Sequence, residues 1–69
     1  MKDLAELRAN ANLTQEELAR RLSRHRSFIW KIEGGERRID LIEFIKWCRA
    51  CGADPDRVFR RVSAAVPNR

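Results

Sequence analysis

Residues 13–37 read LTQEELARRLSRHRSFIWKIEGGER, and this stretch decides the fold. It opens with Thr14 and Glu17 at the spacing of a capping box, in which the hydroxyl and the carboxylate each satisfy a backbone amide at a helix start. Two short helical segments follow, separated by the turn residues 23–25. A short helix, a tight turn and a second short helix predict a helix-turn-helix unit.

The sequence on either side of this unit predicts further helices and no strand. No segment keeps the alternation of apolar and polar residues that a half-buried strand requires. Gly35 and Gly52 indicate helix ends, because glycine readily adopts the left-handed conformation found there. The predicted helices span about residues 2–11, 14–22, 26–34, 40–51 and 54–62. We therefore predict an all-α fold of five helices over residues 1–62, with residues 63–69 as a tail that frays.

Apolar residues at helical spacing identify the expected core. Positions three or four residues apart lie on one face of a helix, and each predicted helix carries such a set. In the last two helices the expected core residues are Leu41, Phe44, Ile45, Trp47, Cys48, Cys51, Val58, Phe59 and Val62.

The positive charge of the chain is concentrated in one segment. Seven basic and two acidic residues lie between positions 20 and 38, which equals the net charge of +5 of the whole chain. Such a cluster is the electrostatic footprint of a protein that binds a polyanion. Most of these residues are arginines, whose planar guanidinium group suits phosphates and guanine edges. The alternative is a solvated face, but the overlap with the predicted helix-turn-helix unit favours a nucleic acid.

The third predicted helix separates into two faces. At about 100° per residue, Ile29 and Ile32 point to the core and Phe28 lies at its edge. The opposite face carries Arg26, Ser27, Trp30 and Lys31. A basic outward face that begins at a helix N-terminus suits docking in the major groove of DNA.

Other classes of function have little support in the sequence. Cys48 and Cys51 occupy apolar positions of one helix, and a zinc site needs about four ligands, so we predict core cysteines and no metal. His25 is interpreted as a turn residue or phosphate donor. No pairing of a nucleophile with a base indicates catalysis, so we predict neither enzymatic activity nor a cofactor. The lack of a signal segment and of a run of about 20 apolar residues predicts a cytoplasmic protein with no membrane contact.

The central residues resemble a known family. LTQEELA at positions 13–19, Leu22, and RSFIWKIEGGER at positions 26–37 are similar to the Cro and phage-repressor-like helix-turn-helix family, the XRE type. The resemblance covers about residues 4–60. It implies a compact, lambda-repressor-like fold of five helices, binding to an operator in double-stranded DNA and, usually, a two-fold dimer.

The resemblance also implies roles for single residues. Gln15 would bond a DNA phosphate and brace the recognition helix, while Arg26, Ser27 and Lys31 occupy base-reading positions. Trp30 stands among them where the family usually has a small or polar residue, and it has three interpretations: a structural residue folded back on the protein, a DNA contact, or part of a protein interface. The phosphate-binding candidates are Gln15, Arg24, His25, Arg37 and Arg38.

These observations predict a sequence-specific, double-stranded DNA-binding transcriptional regulator, a repressor associated with the nucleoid. The resemblance implies a homodimer, for which the candidate interface residues are Val58, Val62, Ala65 and Val66. The alternative is a protein-protein interaction module, similar to an antitoxin or anti-repressor, in which exposed Trp30 and Phe28 bind a protein partner.

Overall fold

The structure is a computed structural model that describes residues 2–67, and these residues form five α-helices and no strand. The helices are α1 (Lys2–Asn10), α2 (Gln15–Arg21), α3 (Arg26–Glu33), α4 (Leu41–Ala50) and α5 (Pro55–Ala65). The predicted all-α, five-helix fold is confirmed. Helix α5 includes residues 63–65, which were predicted as tail, while Asn68 and Arg69 lie outside the described residues. No helix within 2–67 is long and apolar enough to cross a membrane.

The helix starts follow the local sequence. Thr14 Oγ1 accepts a hydrogen bond from the Glu17 amide at 3.0 Å, and the Glu17 carboxylate accepts one from the Thr14 amide at 2.8 Å. Asp40 and Glu43 form the same reciprocal pair at the start of α4, at 2.7 and 3.0 Å. At α5 the Asp54 carboxylate accepts from the backbone two residues on, beside a proline at the first helical position. Each cap satisfies amides that a helix start leaves without partners.

The first four helices end in one recurring motif. A residue in the left-handed conformation follows each of them, and backbone amides fold back on the last carbonyl groups. After α2, the Ser23 amide donates to the Arg20 carbonyl at 3.2 Å and the Arg24 amide to the Ala19 carbonyl at 2.8 Å. The left-handed residues are Asn12, Ser23, Gly35 and Gly52, with φ of 59°, 54°, 79° and 72°. The turn of the helix-turn-helix unit therefore depends on a serine in a conformation that glycine adopts more easily.

All five helices contribute to the core, and Trp47 of α4 is the largest of its fully buried side chains. The Trp47 side chain is fully buried, and its Nε1 donates a hydrogen bond to the Leu4 carbonyl at 3.2 Å. The buried N–H group thus has a partner 43 residues away in the sequence. Helix α3 buries Ile29 and Ile32, which confirms its predicted inner face. Cys48 is fully buried beside Trp47, and Cys51 packs against the same core, as predicted.

The prediction that Leu41 and Phe59 lie in the core is wrong. Leu41 is 64% exposed and Phe59 is 55% exposed. Leu41 is the first residue of α4 and precedes the part of the helix that packs against α5. Phe59 follows Val58, and Val58 is the α5 side chain that fills the core, so the next residue points about 100° away from it. The Phe59 ring meets Phe44 edge-on, with 6.5 Å between the ring centroids, and otherwise faces solvent.

Candidate nucleic-acid interface

The turn between α2 and α3 is closed by a histidine cap. His25 is the N-cap of α3, and its Nδ1 accepts a hydrogen bond from the Ser27 amide at 3.2 Å. The same nitrogen lies 3.1 Å from the Ser27 hydroxyl oxygen. An Nδ1 that accepts leaves Nε2 as the protonated nitrogen of the neutral ring, so a donor remains available on this exposed side chain. His25 thus lies in the turn, as predicted, and it caps α3 as Ser, Thr, Asp or Asn commonly do at a helix start.

The outward face of α3 is open to solvent. Arg26, Ser27, Trp30 and Lys31 are all exposed. The cationic groups of Arg26 and Lys31 form no ion pair with any residue within 2–67. Trp30 is 51% exposed, and its indole N–H makes no hydrogen bond to the described residues. About half of the indole is therefore open to solvent, and its three interpretations remain predictions.

A carboxylate at the end of α3 joins three helices on one side of this face. Glu33 accepts hydrogen bonds from Arg8 Nε at 2.6 Å and Nη2 at 3.1 Å, and from Gln15 Nε2 at 3.0 Å. Arg8 also donates to the Leu13 carbonyl at 2.8 Å. Its hydrogen bond to Glu33 raises the pKa of Arg8. Gln15 is thereby held at the start of α2, beside α3, and its second amide hydrogen is still able to donate.

A second carboxylate, Glu43, holds two arginines on the other side of α3. It accepts from Arg24 Nη2 at 2.9 Å and from Arg37 Nη1 and Nη2 at 3.1 and 3.2 Å. Both guanidinium groups lie over the Phe28 ring, 4.3 and 4.7 Å from its centroid, within reach of a cation–π interaction. The hydrogen bond from Arg37, with that from the Asp40 backbone, lowers the pKa of Glu43. Two predicted phosphate contacts are thereby fixed in position before any ligand is present.

The same arginines cover Phe28, the ring that was predicted to lie at the edge of the core. Phe28 is 8% exposed, with the core on one side and Arg24 and Arg37 on the other. The hypothesis of a docking surface built on exposed Phe28 and Trp30 is therefore wrong for Phe28. Trp30 remains the one large apolar side chain of α3 that the described residues leave open to solvent.

Three residues matter to this interface in ways that the sequence did not indicate. None of Arg8, Glu33 and Glu43 is among the candidates named from the sequence. Arg8 and Glu33 are 25 residues apart in the chain, and Arg24 and Glu43 are 19 apart. No local pattern pairs residues so far apart.

Only two of the four candidate residues for a dimer interface are exposed. Val58 is 3% exposed and Val62 packs against the core, whereas Ala65 and Val66 are exposed. Val58 has no free surface to offer a partner, because its side chain is in the core. Among the described residues, the large apolar side chains exposed outside α3 are Leu41, Ile42, Phe59 and Val66. An open groove of about 380 Å³ runs between α4 and α5, lined by Leu41, Phe44, Ile45, Pro55, Asp56, Phe59 and Arg60.

The cysteines are in an environment that suppresses thiol chemistry. Burial raises the pKa of Cys48, and burial, with a smaller contribution from the neighbouring Cys48, raises the pKa of Cys51 to about 11. The reactive species of cysteine is the thiolate, so both groups are poor nucleophiles at neutral pH. Within residues 3–67, no three His, Cys, Asp or Glu side chains come together as metal ligands.

Comparisons with known proteins found a matching family and a similar solved structure. The helix-turn-helix domain family matches residues 3–59. A solved structure described as an XRE-family like protein from Pseudomonas syringae pv. tomato is 47% identical, with a TM-score of 0.83, over 93% of this chain and 78% of that one. No curated protein matches the chain. The family match includes α2 to α4 and all of α1 except its first residue, and with them both Glu33 and Glu43.

Proposed function

Since the chain belongs to the XRE-type helix-turn-helix family of DNA-binding regulators, we propose that it recognises a specific sequence in double-stranded DNA by inserting α3 into the major groove. The observation that carries this proposal is the outward face of α3. Arg26, Ser27 and Lys31 are exposed on it, and the two cations have no ion-pair partner within 2–67. Two unpaired cations, next to arginines that Glu43 already holds in position, make this surface suited to binding a polyanion.

The base contacts come from the first two turns of α3. Arg26 is the first residue of the helix, and an arginine there can donate two hydrogen bonds to O6 and N7 of a guanine. Ser27 can donate to or accept from either type of base pair, and Lys31 reaches the groove one turn later. Arg26 is therefore the residue whose loss should change sequence preference most.

The phosphate contacts divide into two kinds. Gln15, Arg24 and Arg37 are held by Glu33 or Glu43, so they lose little side-chain freedom when they meet the backbone of DNA. His25 and Arg38 are exposed, and the Arg38 guanidinium makes no ion pair with the described residues. All five bind phosphate oxygens without reading the sequence, and this fixes the orientation of α3.

Two copies of the protein would occupy one operator. A two-fold dimer places two recognition helices about 34 Å apart, which matches a pseudo-palindromic site with half-sites one helical turn apart. A dimer bound across a promoter blocks RNA polymerase, so the expected effect on transcription is repression. The site of action is then the nucleoid, in the cytoplasm.

Selection of bound duplexes from a random-sequence library at about 0.15 M salt tests the proposal, because salt of this order suppresses non-specific binding. The expected result is an enriched inverted repeat. On that repeat, Arg26→Ala should lose about 1–3 kcal/mol and relax the base preference at one position, whereas Arg38→Ala should weaken all sequences equally. Arg57→Ala, on α5, is the matched control and should leave the selected sequence unchanged. A library that shows no enriched sequence would contradict the proposal.

A further inference from the structure

About half of the Trp30 side chain is left open to solvent by the fold. The other three apolar residues of α3, Phe28, Ile29 and Ile32, are all buried. Trp30 is 51% exposed, and its indole N–H has no acceptor among the described residues. Tryptophan is usually buried to a large extent, so a half-exposed indole on a folded helix is informative about binding.

The direction of Trp30 places it at the centre of the outward face. In an ideal helix the three buried side chains of α3 define one direction, and Trp30 points about 150° away from it. Ser27 lies about as far from the core, whereas Arg26 and Lys31 lie about 110° from it, on either side. When α3 lies in the major groove, the indole and Ser27 face the floor of the groove, and the two cations flank them.

The floor of the major groove offers one apolar group to such a side chain. Base edges there present hydrogen-bond donors and acceptors, and only thymine adds a methyl group, at C5. An indole against that methyl group removes apolar surface of both from water, which is favourable and independent of hydrogen-bond geometry. Aromatic side chains that wedge between base steps usually enter from the minor groove, which α3 does not face in this arrangement.

We propose that Trp30 is a specificity-determining residue that recognises the 5-methyl group of a thymine in each half-site. This inference rests on the proposed function, since it requires α3 to lie in the major groove. It assigns to Trp30 a preference for thymine that neither Arg26 nor Lys31 can supply, because arginine and lysine both read guanine. Of the three interpretations of Trp30, the proposal selects the DNA contact, and it names the thymine methyl group as the partner.

The test removes the methyl group alone. Once the operator has been selected, each thymine of a half-site is replaced in turn by deoxyuridine, which keeps the base pair and lacks only the C5 methyl group. At one position per half-site the wild-type protein should bind about fourfold more weakly, which corresponds to about 0.8 kcal/mol for one methyl-sized apolar group. Fluorescence anisotropy of labelled duplexes measures the affinities.

Variants assign the effect to Trp30. Trp30→Ala should bind the thymine operator more weakly and should not distinguish thymine from uracil at that position. Trp30→Leu should retain part of the discrimination, because it keeps an apolar group of smaller reach. Arg26→Ala is the matched control on the same helix: it should lose affinity and still show the fourfold preference for the methyl group. Thermal unfolding by circular dichroism checks that each variant folds.

The outcomes separate this inference from the proposed function. An enriched operator whose thymines are all replaceable by uracil without loss, or that has no thymine in its half-sites, overturns the role of Trp30 and leaves major-groove recognition standing. Equal sensitivity of wild type and Trp30→Ala to the uracil substitution overturns it as well. A random library with no enriched sequence refutes the proposed function itself, and the role of Trp30 with it.

Discussion

Replacing Glu33 by alanine tests whether the carboxylate that joins α1, α2 and α3 stabilises the fold. The Glu33 side chain is 9% exposed and accepts two hydrogen bonds from Arg8, which is 19% exposed, and one from Gln15. Removing one partner of a buried ion pair costs about 3–5 kcal/mol, because a charge is left without a partner. Arg8 retains some access to water, so we expect about 2–3 kcal/mol for Glu33→Ala.

This loss is large for so small a protein. A chain of 69 residues is expected to have a free energy of unfolding of roughly 3–10 kcal/mol. A loss of 2–3 kcal/mol should lower the melting temperature by about 10–20 °C, because the entropy of unfolding of a small domain is small. The protein should remain folded at 10 °C, where the variant can be compared with the wild type by circular dichroism.

Urea unfolding, together with a double-mutant cycle, measures the effect. Glu33→Ala should shift the urea midpoint with little change in the m value, and Arg8→Ala should also destabilise. The double variant should cost less than the two single ones together, with a coupling of at least about 1 kcal/mol. Glu36→Ala removes an exposed acid three residues away and should change the stability by no more than about 0.5 kcal/mol. Simple additivity, or a loss below about 0.5 kcal/mol, would refute the reasoning.

Three further predictions concern the turn, the pH dependence and the thiols. Ser23→Gly should raise the free energy of unfolding by about 0.5 kcal/mol, because it removes left-handed strain, while Ser63→Gly, in the last turn of α5, should not raise it; a loss in both would contradict this. The hydrogen bond from Arg37 lowers the pKa of Glu43 in the folded state, so the contribution of Glu43 to stability is complete above pH 4.5 and is lost as the pH falls further. Glu43→Gln should therefore flatten the acid limb of the curve of stability against pH, and an unchanged limb would count against this prediction. With the pKa of Cys51 raised to about 11, a disulfide reagent at pH 8 should modify the folded protein about 100-fold more slowly than the urea-unfolded one, and rapid labelling of the folded protein would be inconsistent with burial.

Local chemistry determined the secondary structure. Thr14 and Asp40 cap their helices with a glutamate three residues later, and Gly35 and Gly52 end the preceding helices in the left-handed conformation. Each of these signals acts over five residues or fewer, so it can be recognised without the fold. The two faces of α3 were predictable for the same reason, because the period of a helix decides which side chains share a side.

The tertiary structure alone decided which side chains are accessible. Phe28 and Trp30 are both aromatic residues of one helix, yet only Trp30 is open, since Phe28 is covered by arginines from the turn and from the loop after α3. Leu41 and Phe59 have the spacing of core residues and are exposed. Leu41 is the first residue of α4, and on α5 it is Val58 that points into the core.

Sequence by itself therefore determined the helices, their ends and the outward basic face of α3, and the tertiary structure decided how that face is held. The Arg8–Glu33 pair and the two arginines on Glu43 join residues 25, 19 and 6 positions apart. A contact between distant residues forms only after the helices have packed, since their relative positions depend on the whole core and not on any local pattern.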